Sequence, residues 1–415
     1  MRDDLATHHI GHSERPEAWT TARLEDLAED LYVTYGINDR GLPGHQGVVR
    51  AGDVRDGRIT TDQPGCEGGV MQRNTRATLR RDDLVVVLVR RVGDAALVTE
   101  EHEGWVATRS VGIVRSKERH ITRWLRIWLR TRQAQAWIQQ HVSAHVEPTL
   151  SIGALRKMPV AVPPLERIEK LHELVTLIED KTRLNLSIAA DAVALADAHY
   201  ATWNRYRTSW PTCEFGRVTR ASTGRAAPSP APEDGVTCNW VAPSDILNTR
   251  LPYLDGTERQ DLAVPGDISE PGTILIATRP DGMRAAVTLR PVVAGRGVLA
   301  IHPGDPENSW WLLHELRLRS RELARAAQGR QAREITKRAF SRLDVAWPAD
   351  DVRREFHRVA RPMHQVAQQR VAENASLKET LVALLSALSP AADRLAGSTG
   401  PVPDTGPAAR TGVAH

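Results

Sequence analysis

Two long stretches of the chain carry apolar residues three and four positions apart, and the remainder breaks into short apolar runs separated by Gly, Pro and charged residues. The first stretch runs from about Leu165 to Trp203 and the second from about Val352 to Leu388, both much longer than the average globular helix. In the first, Leu171, Ile178, Asn185 and Ala192 share one heptad position and Leu174, Ile188 and Leu195 the other, with Lys181 as the exception. In the second, Phe356, Met363, Leu377 and Leu384 share a position, Val359 and Val366 share the next, and Arg370 interrupts. Each apolar stripe needs a partner, and the chain supplies the pair. A globular segment lies between the two helices, so pairing along their length requires an antiparallel arrangement. At a rise of about 1.5 Å per residue, such helices would separate their ends by roughly 55–60 Å. Asn185 falls in the expected seam, where one buried Asn fixes register against alternative pairings.

The short runs occur twice. Trp19 to Leu27 lines up with Trp210 to Val218, and Leu84 to Val98 with Thr273 to Val287, each of the latter pair reading as strand, basic turn and strand. Val106 to Val114 aligns with Val293 to Ile301, placing Arg109 opposite Arg296. Matched Trp-rich helices follow, Arg123 to Leu129 and Ser309 to Glu315, with bulky residues at the spacing of a buried face. The closing match needs no gap: Leu150 to Pro163 against Ile335 to Pro348, with Ser151 and Thr336 as N-caps. The fold class expected is therefore α+β. Two similar α/β domains are separated by an antiparallel two-helix coiled coil, giving a dumbbell with pseudo-two-fold symmetry. The divisions are a polar tail over 1–15, a first domain over 16–163, a first helix over 164–209, a second domain over 210–348, a second helix over 349–389 and a tail over 390–415. The Pro-rich segment from Ser222 to Gly235 and the Ala/Gly/Pro-rich end from Ser389 read as disordered.

A length of 415 residues exceeds what one core usually holds, in keeping with a duplicated unit. A formal net charge of +4 permits nucleic-acid binding without demanding it. Cys66, Cys213 and Cys238 are far apart and odd in number, against a disulfide framework or zinc ribbon and in favour of a reducing cytoplasm. No run reaches transmembrane length, and the polar start differs from a signal peptide. The sequence lacks a phosphate-binding Gly-Lys-Ser/Thr loop, a Rossmann fingerprint and the Asn-Pro-Pro-Phe/Tyr tetrapeptide of amino-methyltransferases, so neither catalysis nor a cofactor is expected. Asp267 and Glu270 have no nearby Lys to complete a nuclease centre, and His8, His9 and His12 sit in a polar tail without an apolar anchor.

The candidate DNA contacts are arginines on turns: Arg90, Arg91, Arg279 and Arg284 in the matched strand-turn-strand segments, Arg50 and Arg55 flanking Gly52-Asp53, and the equivalent pair Arg109 and Arg296. Taken singly, each is as readily a solvated charge. Recurrence at equivalent positions of the two copies favours Arg109 and Arg296 as a contact common to both.

The order of domain, helix, domain, helix resembles the specificity subunits of type I restriction-modification enzymes. The resemblance is carried by Ser151 to Leu165, ending Val-Pro-Pro-Leu, with the amphipathic helix after it, and by the run Glu373 to Leu385. It implies a non-catalytic DNA-binding subunit whose two target-recognition domains each read one half of a split site on double-stranded DNA. It also implies that the helices measure the spacer and help to dock two DNA adenine methyltransferase subunits, and that a restriction subunit, a helicase-nuclease, joins for cleavage. The readings set against it are an enzyme with an unrecognised motif and a coiled-coil scaffold with two protein-binding heads.

Overall fold

The computed structural model describes residues 19–27, 32–35, 47–61, 77–143, 147–226, 235–257, 259–279, 282–327 and 334–396, with backbone alone for 32–35, 279 and 389–396. The chain forms two compact units, residues 1–179 with 379–415, and residues 180–378.

The first unit opens with β1 (Thr20–Arg23), β2 (Tyr32–Tyr35), β3 (Val48–Val49), β4 (Val54–Arg55) and β5 (Arg58–Ile59). There follow β6 (Leu84–Val87), β7 (Ala95–Leu97), β8 (Val106–Ala107) and β9 (Val111–Arg115), then α1 (Arg119–Trp128), α2 (Arg132–His141), α3 (Ile152–Lys157) and β10 (Pro159–Val162). Helix α4 (Leu165–Asn204) leads on from it. The second unit contains β11 (Thr212–Glu214), α5 (Phe215–Val218), β12 (Thr219–Thr223), β13 (Val236–Val241), α6 (Pro243–Leu247), β14 (Tyr253–Leu254), β15 (Gln260–Ala263) and β16 (Ile268–Ser269). It continues with β17 (Ile274–Arg279), β18 (Gly282–Thr288), β19 (Val292–Ala294), β20 (Leu299–Pro303), α7 (Ser309–Leu318), α8 (Ser320–Ala324), α9 (Lys337–Ser341) and β21 (Asp344–Ala346), and α10 (Asp350–Ala396) closes the chain.

The duplication survives in the sheets. The first unit has strand order β2-β9-β6-β7 and the second β12-β20-β17-β18, with β14 added at one edge. Strands β3 and β8 pair in parallel, as do β13 and β19. Each unit is also closed by a short antiparallel ladder between its first and last strands, β1 with β10 and β11 with β21. Apolar residues on the inner faces supply the cores: Val85, Val87, Val111 and Ile113 in the first unit, and Ile274, Ile276, Leu299 and Ile301 in the second, all at most 3% exposed.

Matched local chemistry underlies matched elements. Ser151 Oγ accepts the Ala154 N–H at 3.0 Å, and Thr336 Oγ1 accepts the Ala339 N–H at 3.1 Å, so both expected N-caps are present. Trp124 and Trp311 are fully buried, and Trp19 and Trp210 meet them edge-on at 5.6 and 5.2 Å between centroids. Asp53 accepts the Arg50 N–H at 2.8 Å and Asp245 the Ala242 N–H at 2.7 Å, starting the short helical turns that follow β3 and β13.

The long helices correct part of the expected seam. Leu171, Ile178 and Asn185 are buried, but their companions are Ile168, Val175, Ala189 and Ala196, one residue on from the positions read as the second stripe. Leu174 and Leu195 are 44% and 58% exposed, and Ile188 is half-buried. In α10 the buried line is Phe356, Ala360, His364, Ala367, Leu381, Leu385 and Leu388. Val366 is exposed, and Val359, Met363, Leu377 and Leu384 are half-buried. The reason lies in what the helices pack against: Ala189 and Ala367 are buried in the core of the second unit and Ala360 beside Tyr200, Trp311 and Phe356, so the buried stripe is turned toward the domain. Helix α10 also runs on to Ala396, past the expected start of a disordered tail at Ser389. Residues 222–223 of the Pro-rich segment belong to β12, and 227–234 lie outside the described residues, as do His8, His9, His12, Cys66 and 397–415.

Within the second unit the helices run antiparallel. Tyr200 meets Phe356 edge-on, whereas Asn185, fifteen residues earlier, meets Asn374, eighteen residues later. Asn185 Nδ2 donates to Asn374 Oδ1 at 2.9 Å, and Asn374 Nδ2 to the Thr182 carbonyl at 3.1 Å, beside a Lys181–Glu373 ion pair. Asn185→Ala is therefore expected to cost about 1–2 kcal/mol in urea denaturation, with the N185A/N374A double variant recovering part of the loss. Strictly additive losses would show that the two amides do not act as a unit.

Candidate nucleic-acid interface

Loops at one edge of the first unit converge on a groove of about 560 Å³. The residues after β3 bring Arg50, Ala51 and Gly52, and β4 adds Arg55. The β6–β7 turn adds Val89, Arg90 and Arg91, and the β8–β9 turn adds Thr108, Arg109 and Ser110. Glu147, from the loop ahead of α3, completes the lining. Five arginines thus face a single carboxylate in a concave surface with apolar walls behind it, an arrangement that concentrates positive potential and attracts polyanions.

The five have different commitments. Arg91 Nη2 donates to the carbonyls of Ala51 and Val54 at 2.8 and 2.9 Å, and its Nη1 lies 3.0 Å from Asp94, so its fork ties the β6–β7 turn to the segment before β4. Burial holds the Asp94 carboxyl above its usual range although Arg91 opposes the shift. Arg55 Nε donates to the Gly52 carbonyl at 3.2 Å. Arg90 has φ +63°, a left-handed backbone that costs a non-glycine residue about 1–2 kcal/mol, and its N–H donates to the Pro148 carbonyl at 2.8 Å. Its Nε and Nη2 donate to Glu147 Oε1 at 3.0 and 2.7 Å, a bond that holds the Glu147 carboxyl below its ordinary range. Arg109 is exposed and has no hydrogen-bond or ion-pair partner among the described residues.

In the second unit, Arg296 occupies the same turn as Arg109, between β19 and β20, and is likewise exposed. Gly297 after it has φ +86°, and a Cβ there would lie 3.2 Å from Glu334 Oε1. Arg279 ends β17 opposite Gly282, its side chain outside the described residues. Arg284 is separated from this group. It lines a different cavity of about 510 Å³ with Asp197, Arg250, His314, Arg317 and Arg321. The structure thus brings Arg50, Arg55, Arg90, Arg91 and Arg109 together, and places Arg284 elsewhere.

Behind that second cavity lies a buried polar chain with no sequence signature. Asp197 Oδ1 is 2.6 Å from His314 Nδ1, His314 Nε2 is 2.9 Å from His364 Nε2, and His364 Nδ1 is 2.6 Å from the Tyr253 hydroxyl. One proton arrangement satisfies every contact: the tyrosine O–H donates to His364, His364 Nε2–H to His314, and His314 Nδ1–H to the carboxylate, with both rings neutral. Trp310 stacks on His364 at 3.9 Å, and burial pushes that imidazole down to about 2. His314 shifts the same way by burial, whereas hydrogen bonds from His314 and Arg317 hold Asp197 well below the carboxylate range despite its desolvation. These partners lie 50 to 117 residues apart, too far for any periodic pattern to reveal.

Among the described residues no three His, Cys, Asp or Glu side chains are placed to hold a metal ion, and Asp267 is paired with Arg225 at 2.6 Å. Among the same residues no helix is long and apolar enough to cross a membrane.

The chain matches no family model. Over 168 residues, 40% of this chain, it is 24% identical to the type I restriction enzyme EcoBI specificity subunit of Escherichia coli, and the match spans about a third (35%) of that relative's length. The crystal structure of the type I restriction-modification system S subunit from M. genitalium superposes with a TM-score of 0.54, covering 88% of this chain and 95% of that one at 13% identity. The HsdS subunit from Thermoanaerobacter tengcongensis covers 90% and 97% of the two chains at 18% identity with a TM-score of 0.34. The chain is thus similar in sequence to a type I specificity subunit and shares the fold of the M. genitalium S subunit.

Proposed function

We propose that the chain is the specificity subunit of a type I restriction-modification system, a non-catalytic protein that reads a bipartite site on double-stranded DNA. The observation that carries the reading is the pair of equivalent turns bearing Arg109 and Arg296, one in each copy of the same strand order. Copies that must grip one chemically repetitive backbone while reading different bases keep the phosphate contact and vary the rest. Arg109 and Arg296 are assigned to phosphates. Arg50, Arg55, Arg90 and, at the mouth of the second domain, Arg279 stand at loop positions suited to base edges or adjacent phosphates. Arg91 shapes the groove, and Arg284 acts away from it.

On this reading residues 16–163 and 210–348 are the recognition domains, and the helices between and after them set the spacer. The exposed apolar residues of those helices, Leu174, Leu195 and Val366 among them, face solvent where two DNA adenine methyltransferase subunits would dock. A helicase-nuclease restriction subunit would join through them. The work is cytoplasmic and needs no cofactor bound to this chain.

The test is a methylation map of the host genome. Deleting the gene is expected to abolish one split, non-palindromic methylated motif, and exchanging residues 16–163 for another recognition domain should alter one half of it and spare the other. A map unchanged by deletion would refute the assignment. With purified complex, Arg109→Ala should weaken binding to all duplexes alike and reduce the slope of log K against log salt by about one.

A further inference from the structure

Glu147 is out of place in a groove built only to grip phosphate, because a carboxylate among five arginines lowers the attraction for any polyanion. Nor does its ion pair serve stability in any large way, since the Arg90 and Glu147 side chains are 74% and 45% exposed and such pairs contribute little. Yet the pair is carefully held. The Arg90 N–H is bonded to the carbonyl of Pro148, next to Glu147, and Val89 bridges to Thr149. The same short contact therefore fixes the backbone on both sides of the ion pair.

The atoms involved are informative. Arg90 uses Nε and one hydrogen of Nη2 on Glu147 Oε1. A guanidinium has five N–H donors, so both hydrogens of Nη1 and the other of Nη2 remain. That end-on fork matches O6 and N7 of guanine in the major groove. Building on the DNA-reading assignment above, we infer that Glu147 is a specificity-determining positioning residue, which occupies the side edge of Arg90 and leaves only its end-on fork to read a guanine in the first half-site. An unrestrained arginine would swing between bases and phosphates. A restrained one discriminates.

The experiment replaces the chromosomal gene with Glu147→Gln or Arg90→Lys alleles and maps methylated sequences by single-molecule sequencing, with thermal melting of each purified protein as a folding control. The expected result is that both variants melt with the wild type and lose discrimination by about tenfold at one guanine of one half-site, leaving every other position of the motif intact. In gel shifts with a random-sequence duplex, Glu147→Gln should also bind more tightly at low salt, because a negative charge has left the groove. A Glu147→Gln motif identical to wild type, or relaxed evenly at all positions, would overturn the inference while leaving the broader assignment standing. A genome map indifferent to deletion of the whole gene would overturn both.

Discussion

Glu315→Ala is expected to destabilise the second unit by about 3–5 kcal/mol, the penalty for removing one partner of a buried charge cluster. Glu315 is fully buried in α7 and accepts both forks of Arg207 at 2.7 Å, the Tyr200 hydroxyl at 2.6 Å and Arg319 Nη1 at 3.2 Å. Its loss strands a phenol that water reaches poorly, since Tyr200 is 2% exposed and enclosed by Trp311 and Phe356, and takes the carboxylate from the partly exposed Arg207. For a unit of this size, that corresponds to a fall in Tm of roughly 10 °C. Urea unfolding followed by tryptophan fluorescence would report it, because Trp210 and Trp311 sit beside the cluster. Glu315→Gln keeps the acceptor for Tyr200 and should lose about half as much. A loss below about 1 kcal/mol for the alanine variant would mean that water enters and the charges are not effectively buried.

Acid is expected to destabilise the same unit well before its carboxylates titrate. Burial, with His314 beside it, holds the His364 imidazole far below the ordinary value close to 6.5 that it has in the unfolded chain. Below about pH 6.5 the unfolded state therefore binds the proton first, and stability falls by up to about 1.4 kcal/mol per pH unit for each such histidine. His314 is shifted in the same direction by the same burial, so the slope is steeper than one group would give. The stabilising effect of Asp197, whose acidity is enhanced, is present above the ordinary carboxylate range and disappears only below it, adding a second, later loss. Between pH 7.5 and 4.5 the unfolding free energy should drop by about 3 kcal/mol or more. His364→Gln, which can accept from Tyr253 and donate to His314, should flatten the slope. An unaltered slope in that variant would place the titrating group elsewhere. In the first unit His172, pushed down to about 4 by burial and by Arg126 and Arg123, gives the same sign over a narrower window.

The duplicated plan was legible because its signals are local. Ser151 and Thr336 cap, and a proline ends each closing strand segment, within a dozen residues of one another. Half of the helix seam was legible for the same reason. The other half was misplaced by one residue because Leu174, Leu195 and Val366 weigh more on any hydrophobic pattern than Ala189, Ala360 and Ala367, although it is these alanines that the second unit's core covers. Arginines on Gly- and Asp-marked turns could be found from sequence, and five of them do share a groove. Glu147 could not, because it meets Arg90 across 57 positions in the sequence through a bond that leaves no periodic trace. The Asp197–His314–His364–Tyr253 chain was hidden more deeply still, its histidines reading as ordinary members of amphipathic helices.

In each unit the first and last strands lie side by side, Thr20–Arg23 against Pro159–Val162 and Thr212–Glu214 against Asp344–Ala346. Adjacent strands are separated by about 4.8 Å, so the polypeptide leaves the domain between them almost where it came in. A recombination event with crossovers inside those two ladders would exchange the whole domain between them as a cassette. The flanking helices would be asked to accommodate no change in path. On the function proposed above, such a geometry would let a lineage trade one DNA target for another in a single genetic step.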